Sequence, residues 1–399
     1  MRRRDLIAVG GALATLGLAP ARGMSIETGP AIMQPAAEFL ESLPGLLDIS
    51  GVPGITIGLV ARGRMTWQHH AGTTDEAGSP PGPTTIWKAA SLSKQVSGYA
   101  ALRLVDAGVL DLDRPLSAYL GEAAPADGCA RRITARHVLT HSSGLPNWRR
   151  DADIVPLFAP GSAFLYSGEG YFLLARAIER ITGIGFEAYM QQAVFRPLGM
   201  FSSTYFWRPD LAARLAPGHR REGRVRDDPS WRDRARQSMV ATGLPEAQWT
   251  LDRIAQAMAP ASGPNQSVPP LPGETYYPNP AMSLMTTAAD YLAIIARFLT
   301  PMDDGLDLSP RLRAMAARPA IRVNSAISWG LGWGLESAGG APYLFQHGSL
   351  AGANTSFALL HPQSQTGIAM FTNHSNGHRV IDRILRAATG REHPVFLWA

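Results

Sequence analysis

The chain has 399 residues, 45% of them hydrophobic and 17% charged, the composition of a globular protein with apolar material for two lobes. The formal charge of +5 reflects a modest arginine excess with no recognisable nucleic-acid module beside it, so a nucleic-acid partner is not expected. The single cysteine, Cys129, excludes an internal disulfide; with no His-Glu-x-x-His or similar spacing either, no metal and no organic cofactor are expected.

At the N-terminus, Arg2-Arg3-Arg4-Asp5 precedes an apolar run from Leu6 to Leu18, and Ala19-Pro20-Ala21 offers small residues for cleavage. Residues 1–23 read as an export signal resembling the twin-arginine type, which implies a periplasmic or secreted protein. The run is too short and too rich in glycine and alanine for a membrane span, so membrane contact is expected only through this signal. Residues 24–399 then form the folded unit.

Residues 31–47 carry Phe39, Leu40, Leu43, Leu46 and Leu47 at helical spacing. Ile55 to Val60 and Met65 to His70 read as two strands of a hairpin turned by Arg62-Gly63-Arg64. His69 and His70 are adjacent on a strand and point to opposite faces, so they are no ligand pair. After the Pro/Gly loop 78–85, Trp87-Lys88-Ala89-Ala90-Ser91-Leu92-Ser93-Lys94-Gln95 opens a helix of about four turns that stops at Gly108. Helices are expected over 133–141, 168–182, 184–195 and 285–299. The segments 207–235 and 260–280 read as surface or cleft excursions. From about residue 327 the period returns to two, with strands expected at Ser328–Leu335, Tyr343–His347, Asn354–Leu360 and Gly367–Asn373, and a last helix at Arg379–Ala388. The economical fold is α+β: one antiparallel sheet built from both ends (about 31–90 and 326–399), flanked by the terminal helices, plus a large helical lobe (about 91–325), with the site between lobes.

Ser91 and Lys94 are the pair that carries chemistry. Lysine occurs only at 88 and 94, whereas arginine serves as the cation everywhere else. A guanidinium keeps its proton in any protein environment, but a desolvated ammonium can lose one and act as a base. Residues three apart share a helix face, so Lys94 can reach the Ser91 hydroxyl, and backbone N–H groups near a helix start suit a developing oxyanion. By spacing alone, Ser91 is equally an N-cap and Lys94 a solvated side chain of the first turn.

Further stretches resolve that ambiguity: Val138-Leu139-Thr140-His141-Ser142-Ser143-Gly144-Leu145, Pro160-Gly161-Ser162-Ala163-Phe164-Leu165-Tyr166-Ser167-Gly168, Phe195-Arg196-Pro197-Leu198-Gly199-Met200, Trp329-Gly330-Leu331-Gly332-Trp333 and Gln346-His347-Gly348-Ser349. In this order, with Ser91-x-x-Lys94, they resemble the serine β-lactamase and penicillin-binding superfamily, specifically class C β-lactamase-like hydrolases and family VIII esterases. The resemblance implies a β-lactamase/transpeptidase-like fold and a serine hydrolase whose substrate is a small ester, a β-lactam or a D-amino-acid peptide. It makes Ser91 the acylated nucleophile, Lys94 its activator, and Tyr166 the proton shuttle in a phenolate-favouring surrounding. His347, Gly348, Ser349 and Leu350, together with Gly168, would form the substrate-binding or oxyanion region, with the oxyanion held by the Ser91 N–H and one near Ser349 or Leu350.

Two departures tilt the reading toward an esterase. The common Tyr-x-Asn is here Tyr166-Ser167-Gly168, without the amide, and the third motif reads His347-Gly348-Ser349, with a mostly neutral imidazole in place of a permanent cation. A Gly-x-Ser-x-Gly elbow is absent, which sets aside an α/β-hydrolase. Taken singly, Tyr166 reads as core, the tryptophans Trp87, Trp148, Trp207, Trp329 and Trp333 as core or cleft wall, with Trp148 on a plausible cleft loop, and His141 as a structural histidine bonding loops near the cleft. An inert penicillin-binding-like receptor is the alternative of another class.

Overall fold

The computed structural model describes residues 31–149, 153–219, 229–258, 278–337, 341–350 and 353–398. The export signal expected over 1–23 lies outside the described residues, as do 220–228 and 260–277 of the two expected excursions.

Both chain ends enter one antiparallel sheet. In chain order the strands are β1 (Gly54–Ala61), β2 (Arg64–Gly72), β3 (Trp87–Lys88), β4 (Met285–Thr286), β5 (Ile321–Arg322), β6 (Ile327–Trp329), β7 (Gly334–Glu336), β8 (Tyr343–Leu350), β9 (Asn354–His361) and β10 (Thr366–Thr372). Among the described residues the large sheet runs β2-β1-β10-β9-β8-β7-β6-β5, so the N-terminal hairpin is stitched to the C-terminal meander through the β1–β10 ladder, Ile55 opposite Thr372 and Ala61 opposite Thr366. The hairpin turns on Arg62 and Gly63, both with positive φ, the geometry that matches the twist of the paired strands.

Each face of the sheet is covered. Helices Ala37–Ser50 and Gly377–Thr389 pack on one side, where Leu43, Leu47, Ile381, Ile384 and Leu385 meet Ile55, Ile57, Phe357 and Ile368. Helix Ala288–Leu299 lies on the other side against β1 and β10. A Cβ on Gly58 would stand 2.7 Å from Leu292 Cδ1, and one on Gly367 2.8 Å from Ile295 Cγ2, so the strands leave room for that helix by omitting side chains. Each such fully buried leucine or isoleucine contributes about 1.5–3 kcal/mol. The helical lobe packs beside this layer around helix Ser93–Asp106, which is buried on nearly all sides, with helices Ala135–Leu139 and Glu169–Thr182 against it.

Four expectations are corrected locally. The strand expected over Ser328–Leu335 is two strands, β6 and β7, which reverse around Gly332 at φ 80°, and the Gly332 N–H docks on the Leu139 carbonyl at 2.9 Å. The helix expected from Met285 begins only at Ala288, because Met285 and Thr286 pair with Lys88 and Trp87; the Thr287 side chain then caps it by accepting from the Asp290 N–H. The helix expected over 184–195 is a short α-helix, Phe186–Met190, widened into a π turn at Gln191–Phe195. Ser91 does not start an α-helix: it sits in a 3₁₀ turn, Ala90–Leu92, entered through Ala90 at φ 48°, and the α-helix starts at Ser93.

Candidate active site

Ser91 lies at the floor of a cavity of about 240 Å³ where the lobes meet. A larger cavity of about 540 Å³ in the helical lobe, lined by Glu187, Thr204, Phe206 and Trp249, pairs the Thr204 hydroxyl with the Glu187 carboxylate at 2.7 Å, but that threonine is fully buried and the cavity lies apart from Ser91, Lys94 and Tyr166, which select the smaller one. The strained turn at Ala90 and the tight seat of β8 set the position of Ser91. A Cβ on Gly348 would stand 2.2 Å from Ser356 Oγ and 2.8 Å from the Ala89 carbonyl, so only glycine lets β8 lie this close to the 89–92 turn. Ser356 Oγ donates to that carbonyl at 2.7 Å and ties β9 to the same turn. Backbone strain of this kind costs on the order of 1–3 kcal/mol and is held here from two sides.

Lys94 is 1% exposed, which removes the reading of a solvated side chain. Its Nζ stands 3.2 Å from Ser91 Oγ and donates to the Ala281 carbonyl at 3.1 Å. Among the described residues no carboxylate pairs with it, so burial is unopposed and brings its pKa down from 10.5 to about 7. Tyr166 faces the same point from the loop before helix Glu169–Thr182, with Lys94 Nζ 4.6 Å from its ring centre. Its hydroxyl is pushed up to about 12 by burial, against the opposing pull of hydrogen bonds with Ser91 and Gln346. The phenolate-favouring surrounding implied by the resemblance is thus not what the structure holds: burial outweighs the hydrogen bonds and the nearby amine, and Tyr166 rests as a phenol.

His141 is the histidine that places Tyr166. Its ring stacks on the Tyr166 ring at 4.2 Å, and Nδ1 accepts from the Ser167 N–H at 3.0 Å. Burial, and then the charge of Lys94, hold its pKa well below the usual histidine range, so it is a neutral spacer that bonds the cleft loop. Gly168 stands where the resemblance expects asparagine, and the reason is steric. A Cβ there would strike the Trp148 indole at 2.4 Å. The Trp148 indole fills the space a side chain at 168 would take, while Asn147 accepts from the Gly168 N–H at 2.9 Å and itself lines the cavity.

β7 pairs with β8 only through Tyr343, Leu344 and Phe345, so Gln346 to Leu350 border the site with β9 on their other side. His347 and Ser349 line the cavity, while Gly348 serves the close approach described above. Leu350 ends the strand, 351 and 352 being outside the described residues. Burial, with a smaller contribution from His378, lowers His347 to about 4. It is a neutral imidazole at pH 7. Trp329, Phe345 and Trp398 complete an aromatic lining, and among the described lining residues there is no arginine or lysine. The contributions of Asn147, Gln346 and Trp398 were not foreseen; Gln346 adjoins the third motif, but Trp398 carries no sequence signal at all.

The sheet order, the serine–lysine–tyrosine cluster in the seam and the helical lobe define a β-lactamase/transpeptidase-like fold. A solved class C β-lactamase superimposes with a TM-score of 0.67 at 16% identity, covering 89% of this chain and 98% of that one. The Beta-lactamase family model matches residues 40–391, and the chain belongs to that family. Relatives include esterase EstB of Burkholderia gladioli, 35% identical over 177 residues, and penicillin-binding protein 4 of Amycolatopsis lactamdurans, 25% identical over 318 residues. The EstB match covers 36% of this chain and 45% of EstB, less than half of either, whereas the penicillin-binding protein match covers 72% of both.

Proposed function

We propose that this chain is a serine hydrolase of small, uncharged carboxylic esters, working through an acyl-enzyme on Ser91. The observation that carries the reading is the buried Lys94 Nζ, 3.2 Å from Ser91 Oγ, with a pKa near 7. A neutral amine at that distance takes the Ser91 proton as the oxygen attacks the ester carbonyl. The Ser91 N–H and an N–H of the Ser349–Leu350 segment hold the oxyanion. Tyr166, a phenol at rest, gives its proton to the departing alkoxide as the C–O bond breaks and regains the proton that Lys94 took. Water then enters, and the same groups run in reverse to release the acid.

Substrate class follows from the lining. A β-lactam or a D-alanyl peptide brings a carboxylate, and the described lining offers it a neutral His347 and aromatic walls. An uncharged ester loses nothing there. The esterase relative supports this reading, and the penicillin-binding relative keeps the β-lactam and peptide alternatives in the test. The test is intact-mass spectrometry after a fluorophosphonate, with Ser91→Ala as control, followed by rates on p-nitrophenyl esters, a chromogenic cephalosporin and a D-alanyl peptide. A single adduct on Ser91 and preference for the esters are expected. No adduct on folded protein would favour a receptor, and faster cephalosporin turnover would overturn the substrate class.

A further inference from the structure

Gln346 has no part in the scheme above, yet its side chain is 1% exposed and touches the reacting cluster. Its Nε2 donates to the Tyr166 hydroxyl at 2.9 Å and to the His347 carbonyl at 2.7 Å. Its Oε1 accepts from Gln95 Nε2 at 2.9 Å, and Gln95 Nε2 also donates to the Gly332 carbonyl at 2.7 Å. These partners fix which way the amide points. Turned over, Gln346 would set its oxygen against the His347 carbonyl and its NH₂ against the NH₂ of Gln95, two repulsive contacts in a buried place.

The direction matters because Tyr166 has one proton. With an N–H of Gln346 already donated to the phenol oxygen, that proton is free to point toward Ser91 and the leaving group. When it departs, the phenolate left behind keeps the Gln346 N–H, and a hydrogen bond to a charged acceptor is stronger than one to a neutral one. We propose that Gln346, locked by Gln95 and the Gly332 carbonyl, is a positioning residue that aims and acidifies the Tyr166 hydroxyl, and so suits this site to esters of ordinary aliphatic alcohols, whose alkoxides leave only when protonated.

This inference rests on the ester-hydrolase reading, and it predicts a dependence on the leaving group that a purely structural glutamine would not produce. p-Nitrophenoxide leaves without a proton, whereas benzyl alkoxide needs one. For Gln346→Met, kcat/KM on a benzyl ester is expected to fall about 10–100-fold, while the p-nitrophenyl ester of the same acid falls no more than about threefold. Should Gln346→Met fail to fold, Gln95→Met frees the amide from behind and should show the same bias in smaller measure. Equal losses on both esters, or no loss, overturn the proposal. Wild-type protein that forms the Ser91 adduct but turns over neither ester defeats the substrate reading alone. The test then moves to Ser91 phosphonylation, where Gln346→Met should slow a phenyl phosphonate more than its p-nitrophenyl analogue and equal slowing overturns the role. No adduct on the wild type defeats both.

Discussion

Among the described residues, two buried clusters that each join a hydroxyl, a base and a further polar group make an instructive pair. In the seam, Ser91, Lys94, Tyr166 and Gln346 converge on a cavity. Behind the sheet, Thr389 Oγ1 lies 2.8 Å from His393 Nε2, and His393 Nδ1 bonds the Glu336 carboxylate, a hydroxyl–imidazole–carboxylate sequence of the kind that acyl-transfer enzymes employ. The second cluster is the closer match to a familiar triad on paper. Yet Thr389, His393 and Glu336 are 5%, 3% and 1% exposed, and Thr389 Oγ1 donates to the Leu385 carbonyl at 2.7 Å. They tie the end of helix Gly377–Thr389 to β7. Access separates the two clusters, because a nucleophile needs space in front of it for a substrate, and only the seam provides this.

The comparison predicts opposite outcomes on activity and stability. Lys94→Met should lower kcat/KM by about 10³-fold, the scale of a lost general base. The same change should raise stability, because lowering a lysine from 10.5 to about 7 costs the fold up to about 5 kcal/mol at neutral pH, offset in part by the lost hydrogen bonds. The sign can be checked through pH. Between 7 and 10.5 the unfolded Lys94 holds a proton that the folded one lacks, so wild-type stability rises with pH across this window. Melting curves of both proteins should therefore converge toward pH 10.5, and a constant gap would mean that Lys94 is not held near 7. In the wild type, kcat/KM on an uncharged ester should climb as pH rises through about 7 as Lys94 loses its proton.

The second cluster should respond the other way. Glu336→Leu leaves His393 Nδ1 buried without its hydrogen-bond partner and should cost about 2 kcal/mol of stability by denaturant unfolding. Its rate per fluorophosphonate-titrated site should stay within about twofold of the wild type; a larger fall would give the cluster a part in the chemistry. The smallest effect concerns the wall of the seam. Trp398 contributes one aromatic side, in contact with Phe164 at 6.2 Å between ring centres. Trp398→Ala should raise kcat/KM for bulky acyl esters relative to acetyl esters about threefold to tenfold, the worth of roughly one buried methylene. An unchanged acyl preference would place the acyl group away from Trp398.

Much of the architecture was legible in the chain. Period-two runs at both ends and period-3.6 runs between them placed the hairpin, the meander and most helices, because alternation and helical spacing are local properties of a strand or helix that buries one face. The breaks at Gly330–Gly332 and Met285–Thr286 were missed because each is settled by a partner far away, Leu139 in one case and the Trp87–Lys88 strand in the other. At the site, lysine scarcity and the motif order singled out Ser91, Lys94 and Tyr166.

What the sequence could not decide is how each group is charged and aimed. The pKa of Lys94 depends on burial under residues from distant segments, Ala281 among them. Tyr166 is a phenol because desolvation outweighs its hydrogen bonds, and glycine at 168 is explained only once Trp148 is seen to occupy the space. Residue types and spacing are written along the chain, but desolvation and hydrogen-bond direction arise from what folding brings alongside them, and these turn a serine and a lysine three residues apart into a candidate nucleophile and base.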